Sequence, residues 1–367
     1  MKHRKEQPKL PPRISGGKVR VYPTNNPPKL NLTEYNAELL SLARELGWRV
    51  FEMHPEIEGY PSYCLYREPL REGAPSIYLQ SGIHGEEQAG PQILLETLRT
   101  NALGDAGAVL FPTLNPKGLA EGRRKICPER KGDDPKKIKD PKGLGSDIDG
   151  TGPNLAACYH PEVPKPPEFL AHANMMNTIL DLRQGRPFDV AIDFHENQAP
   201  HLSRSRIPQK NNTPRGRALT GSYMYHEGEN PALAEAIRTS LEGSTGLAPA
   251  KYLDMYAVDR PGSINMKTAK VQPNPGAYPP TFETIYGYLP NSWLRRNDYA
   301  KETYTVETHS LVLPLEVRVA AGVNVIKATI AHLEDTPLKA QPRKFMGSQI
   351  KKYSPARTGK FFRSKFR

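Results

Sequence analysis

Between residues 33 and 335 two kinds of apolar pattern take turns along the chain. Short, partly β-branched runs at "APSIYLQSGI" (74–83), "GAVLFPTL" (107–114), "FDVAIDF" (188–194) and "TYTVE" (303–307) have the length and composition of buried strands. Separating them are stretches with apolar residues at helical spacing: "EEQAGPQILLETLRT" (86–100), "PEFLAHANMMNTILDL" (167–182) and "NPALAEAIRTSLEGS" (230–244). A helix is also expected over 33–48, where Thr33 begins a Thr-x-x-Asn cap pattern, and a last, strongly apolar one over 313–335. Strands alternating with helices predict an α/β fold with a mixed, mainly parallel central sheet and helices on both faces.

Two segments show neither period. One is 123–153, rich in Lys, Asp and Gly; the other is 260–302, with several Pro and Tyr. Loops this long inside a compact domain are commonly functional. Residues 1–30 are rich in Pro, Lys and Arg and are expected to be disordered, as is 336–367. The expected organisation is therefore a basic Pro-rich segment (1–30), one catalytic-sized domain (31–335) and a basic segment (336–367).

Charge sharpens this division. The formal charge of the whole chain is +12, which suggests a nucleic-acid footprint until it is located. Residues 336–367 hold ten Lys/Arg and no acid, and residues 1–30 carry a net +7, which leaves −5 for 31–335. The body is mildly acidic. Phe and Tyr alternate with cations in the C-terminal segment, a pattern suited to weak contact with a polyanion. No run of 18 apolar residues is present, so no transmembrane segment is expected. The basic N-terminus lacks an apolar signal core, and three cysteines (Cys64, Cys127, Cys158) show no metal-like spacing. These features point to a reduced, cytoplasmic protein.

The candidate chemistry sits where strands end. His84 and Glu87 form H-x-x-E at the junction of a strand and a helix, a turn that can aim both side chains into the crevice beyond the strand's carboxyl end. Imidazole and carboxylate are zinc ligands, and a catalytic zinc takes three protein ligands and keeps one position open. His195, in "DVAIDFHEN", lies just past another buried run and is a third candidate. A strand-end histidine can equally be satisfied by Asp193 or Glu196.

These motifs, in this order, resemble the zinc metallocarboxypeptidase family and its succinylglutamate desuccinylase/aspartoacylase-like relatives. The resemblance covers about 33–335. It rests on "HGEE" (84–87), "LNPKG" (114–118) with Arg124 downstream, "DFHE" (193–196) and "YTVETHSLVLPLEVRVAAGV" (304–323). It implies one zinc ion held by His84, Glu87 and His195. Glu307, ending a strand before the closing helix, is the implied general base, with Glu283 in "TFETIYG" as the rival. Arg124 is the implied oxyanion stabiliser, and Tyr286, 21 residues before Glu307, the implied substrate-covering tyrosine.

One part of the pattern is altered. The family's D-L-N-R corresponds to "NLAACY" (154–159), so Ala156 and Ala157 stand where Asn and Arg would grip a substrate's terminal carboxylate. Alanine cannot make that bidentate contact. An alignment on "SDIDG" (146–150) supplies no Arg either, and Arg295 or Arg296 would be the substitutes. The resemblance therefore implies a zinc-dependent hydrolase of amide or peptide bonds with an atypical carboxylate site. An N-acyl amino-acid deacylase of the desuccinylase/aspartoacylase kind is the second reading. A non-catalytic binding protein acting through its basic ends is the third.

Overall fold

The computed structural model describes residues 29–54, 59–122, 167–197, 222–245, 263–265, 294, 298–310 and 313–336. Strand β3 (Ser76–Ser81) lies at its centre, buried along its whole length. Its odd residues Ile77 and Leu79 face one way and Tyr78 and Gln80 the other, because successive side chains alternate across a strand. On its two sides run β4 (Gly107–Phe111) and β5 (Phe188–Asn197), both parallel to it. The full sheet has eight strands in the order β1-β2-β4-β3-β5-β8-β6-β7. β1 is Arg49–Glu52, β2 Tyr63–Arg67, β6 Tyr223–Glu227, β7 Ser263–Asn265 and β8 Ala300–His309. The pairs β3/β4, β3/β5, β5/β8 and β6/β7 are parallel; β1/β2, β2/β4 and β6/β8 are antiparallel. The mixed, mainly parallel sheet read from the sequence is present.

Helices cover both faces. Ile77, Leu79, Val190, Ile192, Tyr304 and Val306 enter a core shared mainly with four helices. These are α1 (Leu32–Glu45), α2 (Ala89–Arg99), α5 (Pro231–Thr245) and α6 (Leu315–Asp335). On the opposite face Tyr78, Val109, Phe111 and Ala191 pack with Ala171, Met175, Met176 and Ile179 of α4 (Pro167–Leu182). A short helix, α3 (Pro116–Glu121), follows β4. Among the described residues no helix is long and apolar enough to cross a membrane.

The boundaries differ from expectation in physically readable ways. Asn31, not Thr33, caps α1, its side chain accepting from the Glu34 N–H at 3.4 Å. Residues 86–88 stay in the turn and α2 starts at Ala89. β8 is twice as long as the pattern suggested, since its flanks are buried by pairing with β5 and β6 rather than by a local apolar run. Strands β1, β2, β6 and β7 were not foreseen, all being five residues or fewer.

From β3 the chain goes to β4 on one side and then to β5 on the other. The order reverses at β3, and a crevice opens beyond the carboxyl ends of β3 and β5 at such a switch point. His84 and His195 lie there.

Candidate metal centre

The turn after β3 is built by backbone constraints. Gly82 adopts φ of +68°, and a Cβ there would meet the Leu119 side chain at 2.9 Å and the Pro112 carbonyl at 3.1 Å. Asn115 clamps the same turn: its N–H donates to the Gly82 carbonyl at 2.8 Å and its Nδ2 to the Ile83 carbonyl at 3.1 Å. Its Oδ1 accepts from the Gly118 N–H at 2.8 Å, capping α3, whose first position is Pro116. The N-P-K-G segment is thus a brace for the turn that carries His84. Gly90 lets α2 approach closely, because a Cβ would meet Ser81 at 2.7 Å and the Phe194 carbonyl at 3.0 Å.

Within this frame His84, Glu87 and His195 converge, all buried, with one ligand-type atom from each lying within 4.8 Å of the others. His84 Nδ1 lies 2.5 Å from Glu87 Oε1, His195 Nδ1 lies 3.0 Å from Glu87 Oε2, and the two Nδ1 atoms are 3.3 Å apart. Ligands held at ~2.0–2.1 Å around a tetrahedral zinc are separated by about 3.3 Å. The donor types fit such an ion and the two imidazole nitrogens stand at that separation, with the Glu87 oxygens drawn closer to both.

The tautomer fits as well. His195 Nε2 lies 3.0 Å from Asp193 Oδ2, and a carboxylate only accepts. The ring therefore keeps a proton on Nε2, which makes Nδ1, on the Glu87 side, the nitrogen that would give its lone pair to a metal. A carboxylate behind a metal-binding imidazole fixes ring orientation and raises its basicity. Asp193, read in the sequence as a partner that would make His195 unremarkable, supports the ligand role instead. Glu196 points to the other face: it pairs with Arg318 of α6 and accepts from the Ala89 N–H at 3.3 Å.

Charge is arranged to match. Burial opposes ionisation of Glu87, but the two imidazoles outweigh it and hold the carboxyl well below the usual range. Burial alone would lower His195; Asp193 and Glu87 outweigh it and raise this imidazole well above its ordinary value.

Glu307 stands directly opposite His195 in the parallel β5/β8 register, so both lie on the same face of the sheet at the same edge. It is half-buried. Thr308 Oγ1 reaches the His195 carbonyl at 3.4 Å, tying the two strand ends together. Arg124, Glu283, Tyr286, Arg295, Arg296, Ala156 and Ala157 lie outside the described residues. Sequence reasoning missed Gln80, Tyr78 and His172, which extend inward from Asp193. Their only local sign was a glutamine inside an otherwise apolar strand.

No family model and no curated protein matches the chain. Solved structures do share its fold. A candidate metallopeptidase from Shewanella denitrificans OS217 is 17% identical, with a TM-score of 0.53, covering 82% of this chain and 90% of its own. A metallo-carboxypeptidase from Burkholderia cenocepacia is 12% identical, with a TM-score of 0.51, covering 84% of this chain and 70% of its own. A candidate metallopeptidase from Shewanella baltica OS155 is 18% identical with a TM-score of 0.50 and coverages of 82% and 92%. The mixed α/β architecture is thus one that this chain shares with solved metallopeptidase and carboxypeptidase structures.

Proposed function

We propose that this chain is a zinc-dependent hydrolase of amide or peptide bonds, its catalytic domain spanning 31–335. His84, Glu87 and His195 hold one zinc and Glu307 serves as the base. The observation that carries the reading is the convergence of three buried ligand-type side chains at the switch point, with Glu307 in register beside one of them.

Zinc bound there would polarise a carbonyl and bring the pKa of a bound water toward ~7. Glu307 accepts the proton of the attacking water and returns it to the leaving amine, which turns a poor leaving group into a good one. Asp193 holds one His195 proton on Nε2, so that Nδ1 is the nitrogen offered to the zinc once its own proton is displaced. Arg124 is assigned to the developing oxyanion and Tyr286 to covering the substrate.

The test is a metal assay on the full chain followed by turnover measurements. One zinc per chain is expected. Glu307→Gln should keep that zinc and lose about 10²- to 10⁴-fold in turnover, the range of general acid–base catalysis. Full activity in that variant would remove Glu307, and Glu283→Gln would be examined in its place.

Substrate preference follows from Ala156 and Ala157. Without the planar cation, a free-acid substrate loses a charge-assisted pair worth roughly 1.5–3 kcal/mol. Free-acid and amidated peptides should therefore turn over at similar rates. A strong free-acid preference would return the carboxylate contact to Arg295 or Arg296. Activity confined to N-acyl amino acids would favour the deacylase reading of the same centre.

A further inference from the structure

Behind the metal centre, on the face packed against α4, lies a chain of polar side chains that the proposed reaction does not use. Gln80 Nε2 lies 2.8 Å from Asp193 Oδ2, Gln80 Oε1 lies 2.5 Å from the Tyr78 hydroxyl, and that hydroxyl lies 2.9 Å from His172 Nε2. Tyr78, Gln80 and Asp193 are 0% exposed and His172 is 1% exposed. Three elements contribute: β5 brings Asp193, β3 brings Gln80 and Tyr78, and α4 brings His172. The β3/β5 register pairs Gln80 with Asp193, which is why they meet.

Only one arrangement of protons gives every contact a donor. Asp193 accepts only, so Gln80 must present its amide NH₂ to it and its carbonyl oxygen to Tyr78. That oxygen accepts only, so Tyr78 donates to it, and the Tyr78 oxygen must then accept from His172 Nε2–H. Turning the Gln80 amide over would set two acceptors 2.8 Å apart. Asp193, which also accepts from His195 Nε2–H, therefore sets the direction of each bond outward along the chain, and His172 ends it as the Nε2–H tautomer.

We propose that Gln80, Tyr78 and His172 are positioning residues for the metal centre: they orient Asp193 and thereby hold His195 as an Nδ1 ligand. The inference rests on His84, Glu87 and His195 being the zinc ligands. A glutamine and a tyrosine hydroxyl in the middle of a buried strand are costly unless fully satisfied, and a satisfied network is rigid. That rigidity is what an imidazole ligand needs from the groups behind it.

The test uses the full-length chain with zinc, measured by competition with a chelator, and with cobalt(II), whose visible bands report ligand geometry. Gln80→Leu should weaken zinc binding about 10- to 100-fold, the usual effect of losing such a supporting partner, and shift the cobalt bands. Tyr78→Phe keeps the ring packing against Phe111 and Phe188 and removes one oxygen. It should weaken zinc less but shift the bands in the same sense. A purely structural role would lower the unfolding midpoint of both variants while zinc affinity, referred to folded protein, and the cobalt spectrum stay at parent values; that result overturns the inference. A parent chain that takes up neither metal would overturn the metal centre itself, and the inference with it.

Discussion

At the scale of single residues, the centre holds a proton that a metal must expel. His195 is raised by Asp193 and Glu87, so in the metal-free protein it carries a proton on both nitrogens at pH values where an ordinary imidazole has begun to lose one. Glu87 is already ionised and releases nothing. Zinc binding should therefore release at least about one proton per chain, and zinc affinity should fall at least about tenfold for each pH unit of acidification below the raised His195 value. Calorimetry in buffers of different protonation enthalpy measures this directly. Binding with no proton release would mean that His195 does not join the ligand set in its neutral form. The motif residues were legible in the sequence because H-x-x-E and a strand-end histidine are local patterns. Asp193 was visible there too, but its side of the argument was not. Only the ring orientation shows that it holds Nε2–H and frees Nδ1.

At the scale of elements, the most consequential contact joins two of the motif segments through side chains that the metal reading does not use. Glu196, next to His195 near the end of β5, faces away from the candidate metal site, and it joins the first turn of α2 to Arg318 of α6. Arg318 is held from its own side by a bond from Nε to the Leu313 carbonyl at 3.1 Å. Both side chains are largely buried. Arg318→Met should cost about 3–5 kcal/mol in denaturant unfolding, because it leaves a buried carboxylate without its cation. Adding Glu196→Gln to that variant should recover much of the loss. A loss below about 1 kcal/mol for Arg318→Met would show the pair to be effectively solvated. The helical pattern of 313–335 had announced α6 as a packing helix. Nothing in that pattern singled out Arg318, since periodicity cannot say that a strand-end acid waits beneath.

Across the whole molecule, the buried His172 makes folding sensitive to acid. Burial pushes this imidazole down to about 3, so it stays neutral in the fold while an unfolded chain protonates it near 6.5. A depressed histidine leaves stability intact above ~6.5 and erodes it as pH falls toward about 3, since the unfolded state then binds the extra proton. The slope from this group approaches ~1.4 kcal/mol per pH unit. His195 acts in the opposite direction and over a different range: its stabilising contribution is complete below ~6.5 and declines as pH rises through its raised value. Urea unfolding of metal-free parent and His172→Gln proteins at several pH values separates these effects. The stability gap between the two should narrow as pH drops from 6.5 to 4. A gap that stays constant would mean His172 is protonated equally in folded and unfolded chains.

The sequence by itself determined the α/β alternation, because runs of period two and period 3.6 are properties of a dozen neighbouring residues. It also determined the position of the candidate ligands, because each sits immediately after a run that had to be a buried strand. It could not determine which strands lie side by side. The β3/β5 register that sets Gln80 on Asp193, and the β5/β8 register that sets Glu307 beside His195, join residues 113 and 112 positions apart. No local periodicity encodes such pairings; they follow from how helices on both faces bury the sheet. The short strand β1 at the sheet's edge and its neighbour β2 escaped for the same reason, since four or five residues become a strand only when a neighbour accepts their hydrogen bonds. The ligand types were thus written locally, while the tautomer, charge and support of the centre came from tertiary contacts between distant segments.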